Sequence, residues 1–138
     1  MVLPPALVKP LRIAIAEDNW FVAEHLRSEL AALGHKVVGL ARTREELIEL
    51  AARERPHVAL VDMRLADGSD GLAAAKEIQD RLGIPAIAAT GHLTAVEAQA
   101  AGLLGLLSKP YSSAGLRAVL EGTTAWLESG TARPFLVP

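Results

Sequence analysis

The sequence contains no cysteine, few aromatic residues and no excess of either charge. Without cysteine the chain has no disulfide, thiolate nucleophile or zinc–thiolate site, which suits a cytoplasmic location. The net charge of −2 offers no basic field, so nucleic acid is not expected as a direct partner. The longest apolar runs have the length of strands, so we expect no membrane span. Because aromatic residues make up only 4% of the chain, a core must consist of aliphatic side chains.

The chain has the length and composition of one folded domain. Its 138 residues are 51% apolar and 22% charged, which argues for a packed core and against disorder. We expect an N-terminal extension over residues 1–10, the domain over residues 11–128 and a tail over residues 129–138. The extension is too short and too rich in proline for a signal peptide. The tail is expected to be disordered or loosely docked.

Short apolar runs alternate with longer amphipathic runs along the chain. The apolar runs are expected to form strands and comprise residues 11–16, 36–40, 58–62, 86–90 and 105–108. The runs between them have helical spacing and follow plausible N-caps such as Asn19 and Asp70. This alternation predicts a parallel sheet with helices on both faces. Right-handed crossovers favour the doubly wound, flavodoxin-like (βα)5 fold with strand order 2-1-3-4-5.

Acidic residues follow two of these strands. Glu17 and Asp18 come directly after the first strand, and Asp62 ends the third. In the expected strand order these two strands are neighbours, so the three carboxylates should meet at one rim. Three like charges in one crevice require a neutralising cation. Oxygen ligands favour a hard ion, and Mg²⁺ is the usual choice beside phosphate.

A hydroxyl and an ammonium follow the remaining strands. Thr90 ends the fourth strand and Lys109 follows the fifth, so both should face the carboxylates. A carboxylate such as Asp62 is ionised at neutral pH and needs no general base to attack phosphorus. The cation and the lysine would neutralise the equatorial oxygens, and the threonine would donate a hydrogen bond. The pattern indicates phosphoryl transfer.

With these residues and the stretches AEDN, VDMRLADGSDG and SKPY, the sequence resembles the CheY-like receiver domains of bacterial response regulators. The resemblance covers residues 11–127. It implies that Asp62 is the phosphoacceptor. It implies a Mg²⁺ site made of Asp18, Asp62, the main-chain carbonyl of Arg64 and, through water, Glu17. It also implies a phosphoryl-binding set of Thr90, Gly91 and Lys109.

The resemblance also assigns positions around the phosphoryl site. Arg64 and His92, two residues beyond Asp62 and Thr90, would flank the phosphoryl group and tune its hydrolysis; the alternative for both is a plain surface residue. The switch position holds Leu106, where receivers usually have Tyr or Phe. Leucine cannot make the aromatic rotation that many receivers use. Two further positions remain open. Trp20 is either a partner contact or a partly buried residue, and Tyr111 is an alternative for the missing aromatic.

The implied function is that of a stand-alone, single-domain response regulator in a two-component phosphorelay. The Ala-Thr-Gly run at residues 89–91 resembles a single-domain subfamily of alphaproteobacteria. A histidine kinase or histidine phosphotransfer protein would supply the phosphoryl group. The output would be a contact with a downstream protein or the removal of phosphate from a shared kinase. We expect a monomer or weak dimer that is not an enzyme beyond its own phosphorylation and dephosphorylation.

Two other functions are consistent with parts of the pattern. A receiver-like scaffold could act without phosphorylation, although all five ion- and phosphate-binding residues are present. A phosphatase similar to the haloacid dehalogenases also uses an aspartate at a strand end. That class normally has a second aspartate two residues later, where this chain has Arg64.

Overall fold

A computed structural model describes residues 10–138, so most of the expected N-terminal extension lies outside the described part. Eleven elements form a three-layer α/β domain, and one of them is a 3-10 turn at Ala66–Gly68. The others are β1 (Arg12–Ala16), α1 (Trp20–Ala32), β2 (Lys36–Ala41), α2 (Arg44–Glu54), β3 (Val58–Val61), α3 (Gly71–Leu82), β4 (Ala86–Thr90), α4 (Ala95–Ala100), β5 (Gly105–Ser108) and α5 (Ser113–Ser129).

The five strands form one parallel sheet in the order β2-β1-β3-β4-β5, which confirms the fold expected from the sequence. β1 and β3 are neighbours, as the predicted site requires. The strand bounds agree with the expectation to within one residue: β3 ends at Val61, so Asp62 begins the following loop. Among residues 10–138, no helix combines the length and hydrophobicity needed to cross a bilayer.

The core consists of two aliphatic layers, one on each face of the sheet. Successive strand residues point to opposite faces. In β1, Ala14 and Ala16 join the layer beneath α2, α3 and α4, whereas Ile13 and Ile15 join the layer beneath α1 and α5. Alanines on the first face allow the helices to pack closely on the strands. This division explains how so apolar a chain forms its core with few aromatic residues.

Side-chain caps fix where the helices begin. The Asn19 carboxamide oxygen accepts from the amides of Phe21 and Val22, as expected of an N-cap. At α2 the Thr43 hydroxyl accepts from the Glu46 amide, but the Glu46 carboxylate accepts from the residue before the cap. The two residues therefore form no reciprocal capping box. Such a box is found instead at α4, between Thr94 and Glu97.

The tail (residues 129–138) is docked against the sheet. Leu136 forms a parallel bridge with Gly105 in β5, the edge strand. Of the two states expected for the tail, disordered or docked, the structure shows the docked one. The sequence pattern did not predict the pairing with β5.

Candidate functional site

The polar residues that follow the strands converge at the carboxyl edge of the sheet. The backbone hydrogen-bond ladder continues one step beyond the strands, because the Asp62 amide donates to the Ala16 carbonyl at 2.9 Å. At the other side, the Lys109 amide donates to the Thr90 carbonyl at 3.1 Å. These bonds hold the first loop residues in the register of the sheet. The backbone of Asp62 and of Lys109 is therefore held by hydrogen bonds to the sheet.

Lys109 joins the two buried carboxylates. Its ammonium donates to Glu17 Oε1 at 2.6 Å and to Asp62 Oδ2 at 2.9 Å. The Glu17 side chain is only 6% exposed, and this burial raises the pKa of its carboxyl although the Lys109 hydrogen bond opposes the rise. Burial lowers the pKa of Lys109, but its bonds to Glu17 and Asp62 outweigh burial and leave that pKa raised. Lys109 therefore stays charged between the carboxylates.

Three carboxylates lie close enough to share one cation. Oxygens of Glu17, Asp18 and Asp62 all fall within 4.8 Å of one another, and Asp18 is the exposed member. Lys109 neutralises only one of their three charges. A donor set made only of carboxylate oxygens with excess negative charge fits a hard divalent cation such as Mg²⁺. The metal site expected from the sequence is thus chemically consistent with the residues brought together here.

The loop after β3 is shaped around Asp62. Its Oδ1 accepts from the Arg64 amide at 3.0 Å, which orients the carboxylate. Gly71, the first residue of α3, packs against this loop: a Cβ there would lie 1.9 Å from the Asp62 carbonyl oxygen and 2.7 Å from the Met63 Cα. Sequence reasoning missed Gly71. Its signal was a glycine directly after the Asp70 N-cap, where a helix-forming residue would ordinarily stand.

Thr90 is fully buried at the end of β4, and its hydroxyl oxygen accepts from the His92 amide at 3.1 Å. The His92 and Arg64 side chains are exposed, and the backbone amides of these residues donate to the Thr90 hydroxyl and the Asp62 carboxylate. A Cβ on Gly91 would lie 3.6 Å from the Lys109 carbonyl oxygen, an ordinary contact. Glycine at this position is therefore not forced by packing, and it leaves the rim open.

The two remaining expected positions differ in exposure. Leu106, the expected switch position, is a core residue buried in the layer beneath α4. Trp20 is 62% exposed and Phe21 is 78% exposed, and their rings meet edge to face at a centroid distance of 5.4 Å. Trp20 is therefore mainly exposed and keeps one ring contact, with Phe21. Tyr111 is half-buried, and burial raises the pKa of its phenol.

Comparison with known proteins agrees with this arrangement. A family model described as the response regulator receiver domain matches residues 13–121. The Phyllosphere-induced regulator PhyR of Methylorubrum extorquens is 34% identical over 126 residues, which cover 88% of this chain and 46% of that protein.

Two solved structures are similar in fold and sequence. The response regulator PhyR from Brucella abortus has a TM-score of 0.76 and 30% identity, covering 92% of this chain and 51% of that chain. The anti-anti-sigma factor PhyR from Bartonella quintana has a TM-score of 0.72 and 28% identity, covering 87% of this chain and 49% of that chain. The chain thus spans about half the length of these relatives.

Proposed function

Because the chain belongs to the response regulator receiver domain family, we propose that it accepts a phosphoryl group on Asp62 from a phosphohistidine. The donor would be a histidine kinase or a histidine phosphotransfer protein. The observation that carries the proposal is the double hydrogen bond of Lys109 to Asp62 and Glu17 at the carboxyl edge of the sheet. This contact supplies a positive charge beside Asp62, the carboxylate that directly follows the buried strand β3.

The transfer needs no general base. A carboxylate oxygen of Asp62 attacks phosphorus and forms an acyl phosphate. The bond between phosphorus and the imidazole nitrogen of the donor breaks, and that nitrogen keeps the electron pair. Lys109 would stabilise the negative charge on the transferred oxygens, and Thr90 would donate a hydrogen bond to one of them. Gly91 leaves room for the group. Later attack by water on the phosphorus returns the free carboxylate and releases inorganic phosphate.

We propose that Mg²⁺ is held by Asp18, Asp62, the main-chain carbonyl of Arg64 and, through water, Glu17. When bound, the ion supplies positive charge that offsets the excess negative charge of the carboxylates and of the phosphate. The side chains of Arg64 and His92 would regulate the approach of water from the exposed rim.

Trp20 is proposed as a contact for the phosphoryl donor. Together with Phe21 it presents an exposed aromatic surface on the first turn of α1, which begins two residues after Asp18. Exposed tryptophan is a frequent anchor of protein interfaces. A donor that docks on this pair would bring its phosphohistidine to the mouth of the site. Such a donor implies a cytoplasmic location.

The output is proposed to be a protein contact or the removal of phosphate from a shared kinase. An anti-sigma factor is one candidate partner, because a relative is an anti-anti-sigma factor. Leu106 is buried and cannot rotate as an aromatic switch residue does, so transmission would rely on backbone shifts of β5. The two other functions considered are less well supported. Arg64 stands where a haloacid-dehalogenase-like phosphatase needs an aspartate, and a phosphorylation-independent scaffold has no use for the Lys109 contacts.

Phosphotransfer from radiolabelled histidine kinases tests the proposal. The intact protein should acquire acid-labile label from a cognate kinase, and Asp62→Asn should acquire none. Asp67→Asn is the matched control, since Asp67 is an exposed acid in the same loop, and it should be labelled like the parent. Labelling of Asp62→Asn at the parent rate would refute the proposal.

A further inference from the structure

One residue of the tail (residues 129–138), Leu136, pairs with β5 in the way a sixth strand would. The Leu136 amide donates to the Leu104 carbonyl at 2.8 Å, and the Leu106 amide donates to the Leu136 carbonyl at 2.9 Å. These two bonds follow the parallel ladder pattern and cover part of the open edge of β5. The backbone amide of Leu106, the expected switch position, is therefore hydrogen-bonded to the tail.

Two glycines form a notch for Leu136. A Cβ on Gly105 would lie 2.4 Å from the Leu136 carbonyl oxygen, and a Cβ on Gly122 in α5 would lie 2.7 Å from a Leu136 methyl group. The neighbouring Phe135 packs against the other layer of the core, beneath α4. Adjacent residues of an extended chain point to opposite sides, so the edge accommodates an aromatic–leucine pair. We call this place the β5 notch.

Beyond Phe135 and Leu136, the tail does not continue the hydrogen-bond ladder with β5. In a parallel ladder the next donor would be the amide of residue 138, which would pair with the Leu106 carbonyl. Pro138 has no amide hydrogen, so the ladder ends there. Val137 is 55% exposed beside a groove of about 480 Å³ that runs along β5 and the start of α5. A segment without proline at this position would make more backbone hydrogen bonds than the tail makes.

The other end of the tail is anchored on the surface of α5. The Trp126 indole donates to the Thr131 carbonyl at 3.1 Å, and the Arg133 guanidinium lies over the Trp126 ring at 5.9 Å. Phe135 and Leu136 can therefore leave the β5 notch while the tail stays attached at Thr131. This arrangement suits an occupant that is released without unfolding of the domain.

We propose that the β5 notch is a docking site for an extended segment of a partner protein that carries adjacent aromatic and leucine residues. The tail occupies the notch in the free protein and competes with that segment. The partner would add a strand to the sheet, with main-chain hydrogen bonds supplying affinity and the notch supplying specificity. The inference goes beyond phosphorylation of Asp62 and does not rest on it.

A fluorescent peptide with the sequence of residues 131–138 and the change Pro138→Thr serves as the probe. It should bind the Leu136→Asp protein, whose own tail is displaced, at least about tenfold more tightly than it binds the parent protein, because the intramolecular competitor is lost. Adding Gly105→Ala to Leu136→Asp should abolish binding, because the new methyl group fills the notch. A peptide with Leu136→Ser should bind neither protein.

Leu136→Ala repeats the test without introducing a charge, in case the aspartate variant does not fold. Equal affinity for the parent and both tail variants, or binding that survives Gly105→Ala, would overturn the proposal. If the parent protein instead formed dimers that Leu136→Ala abolished, a second copy of the chain would be the occupant of the β5 notch. That result would also overturn the proposal. The binding results should be the same in an Asp62→Asn background, which separates this proposal from the proposed phosphorylation.

Discussion

The Lys109 ammonium donates a 2.9 Å hydrogen bond to Asp62, although the two residues follow strands that are not neighbours. β4 lies between β3 and β5, so the lysine side chain reaches across the end of a strand. The bond therefore connects the centre of the sheet with the strand at its edge. Because Lys109 directly follows β5, any change in the charge of Asp62 alters a contact made at the end of β5.

Replacing Lys109 with alanine should slow the phosphorylation of Asp62. Loss of a preorganised positive group from a transfer site costs a factor of about 10² or more in rate. The rate with acetyl phosphate as donor measures this effect without a kinase. Lys36→Ala removes an exposed lysine at the start of β2 and should leave the rate unchanged. A Lys109→Ala rate equal to that of the parent would contradict the role given to the lysine.

Asp18→Asn should weaken Mg²⁺ binding. Removing one of three clustered carboxylates lowers the negative charge and deletes a ligand, so we expect a loss of at least about tenfold in affinity. Trp20, two residues away, should report binding by its fluorescence in a Trp126→Phe background. Asp80→Asn, at an exposed position on α3, is the control. Equal affinities for Asp18→Asn and the control would remove Asp18 from the metal site.

Gly71→Ala should destabilise the fold and displace the loop of Asp62. The added methyl group would overlap the backbone of Asp62 and Met63, and overpacking of this kind costs about 1–3 kcal/mol in the free energy of unfolding. Urea unfolding measures the loss. Gly91→Ala, which meets only an ordinary contact, should unfold like the parent. If both variants were equally stable, the close packing of α3 against the loop would be wrong.

The free energy of unfolding should decrease as the pH drops below the ordinary pKa of histidine. His57 Nδ1 accepts a hydrogen bond from the Arg12 amide at 2.9 Å, and burial followed by the charge of Arg12 lowers the pKa of His57 below 6.5. The unfolded chain therefore takes up a proton at a higher pH than the folded one. The stabilisation is complete above pH 6.5 and is lost as the pH falls through the folded pKa.

Urea unfolding above and below pH 6.5 tests this linkage. His57→Gln should reduce the slope of stability against pH. An unchanged slope in His57→Gln would assign the pH dependence to other groups.

Trp20→Ala should slow phosphotransfer from the cognate kinase by about tenfold, because a docking anchor is lost. Labelling by acetyl phosphate needs no docking and should keep the parent rate. Phe21→Ala should also slow phosphotransfer from the kinase, by a smaller factor, and should leave labelling by acetyl phosphate at the parent rate. Equal slowing with both donors would place Trp20 in the chemical step and not in partner contact.

The sequence predicted the sheet order and the convergence of Glu17, Asp18, Asp62, Thr90 and Lys109. Each of these residues directly follows or ends an apolar run, and parallel strands bring their carboxyl ends to one edge. That inference needs only the strand order and no side-chain detail.

The features that were missed depend on contacts between distant elements. Gly71 matters because α3 packs against the Asp62 loop, and Leu136 docks because Gly105 and Gly122 leave space on two different elements. The glycine after Asp70 marks an unusual helix position, but no local pattern encodes which distant element it packs against. The exposure of Trp20 was also open, since its position on the first turn of α1 fits a buried or an outward-facing ring.

The most direct test of the account is chemical trapping of the phosphorylated residue. The protein is incubated with Mg²⁺ and acetyl phosphate and then treated with borohydride, which reduces an aspartyl phosphate to homoserine. Peptide mass spectrometry should find homoserine at position 62 of the parent protein and no homoserine in Asp62→Asn. Homoserine at Asp18 or another acid in place of position 62, or an unmodified Asp62 under conditions in which Mg²⁺ is bound, would contradict the account.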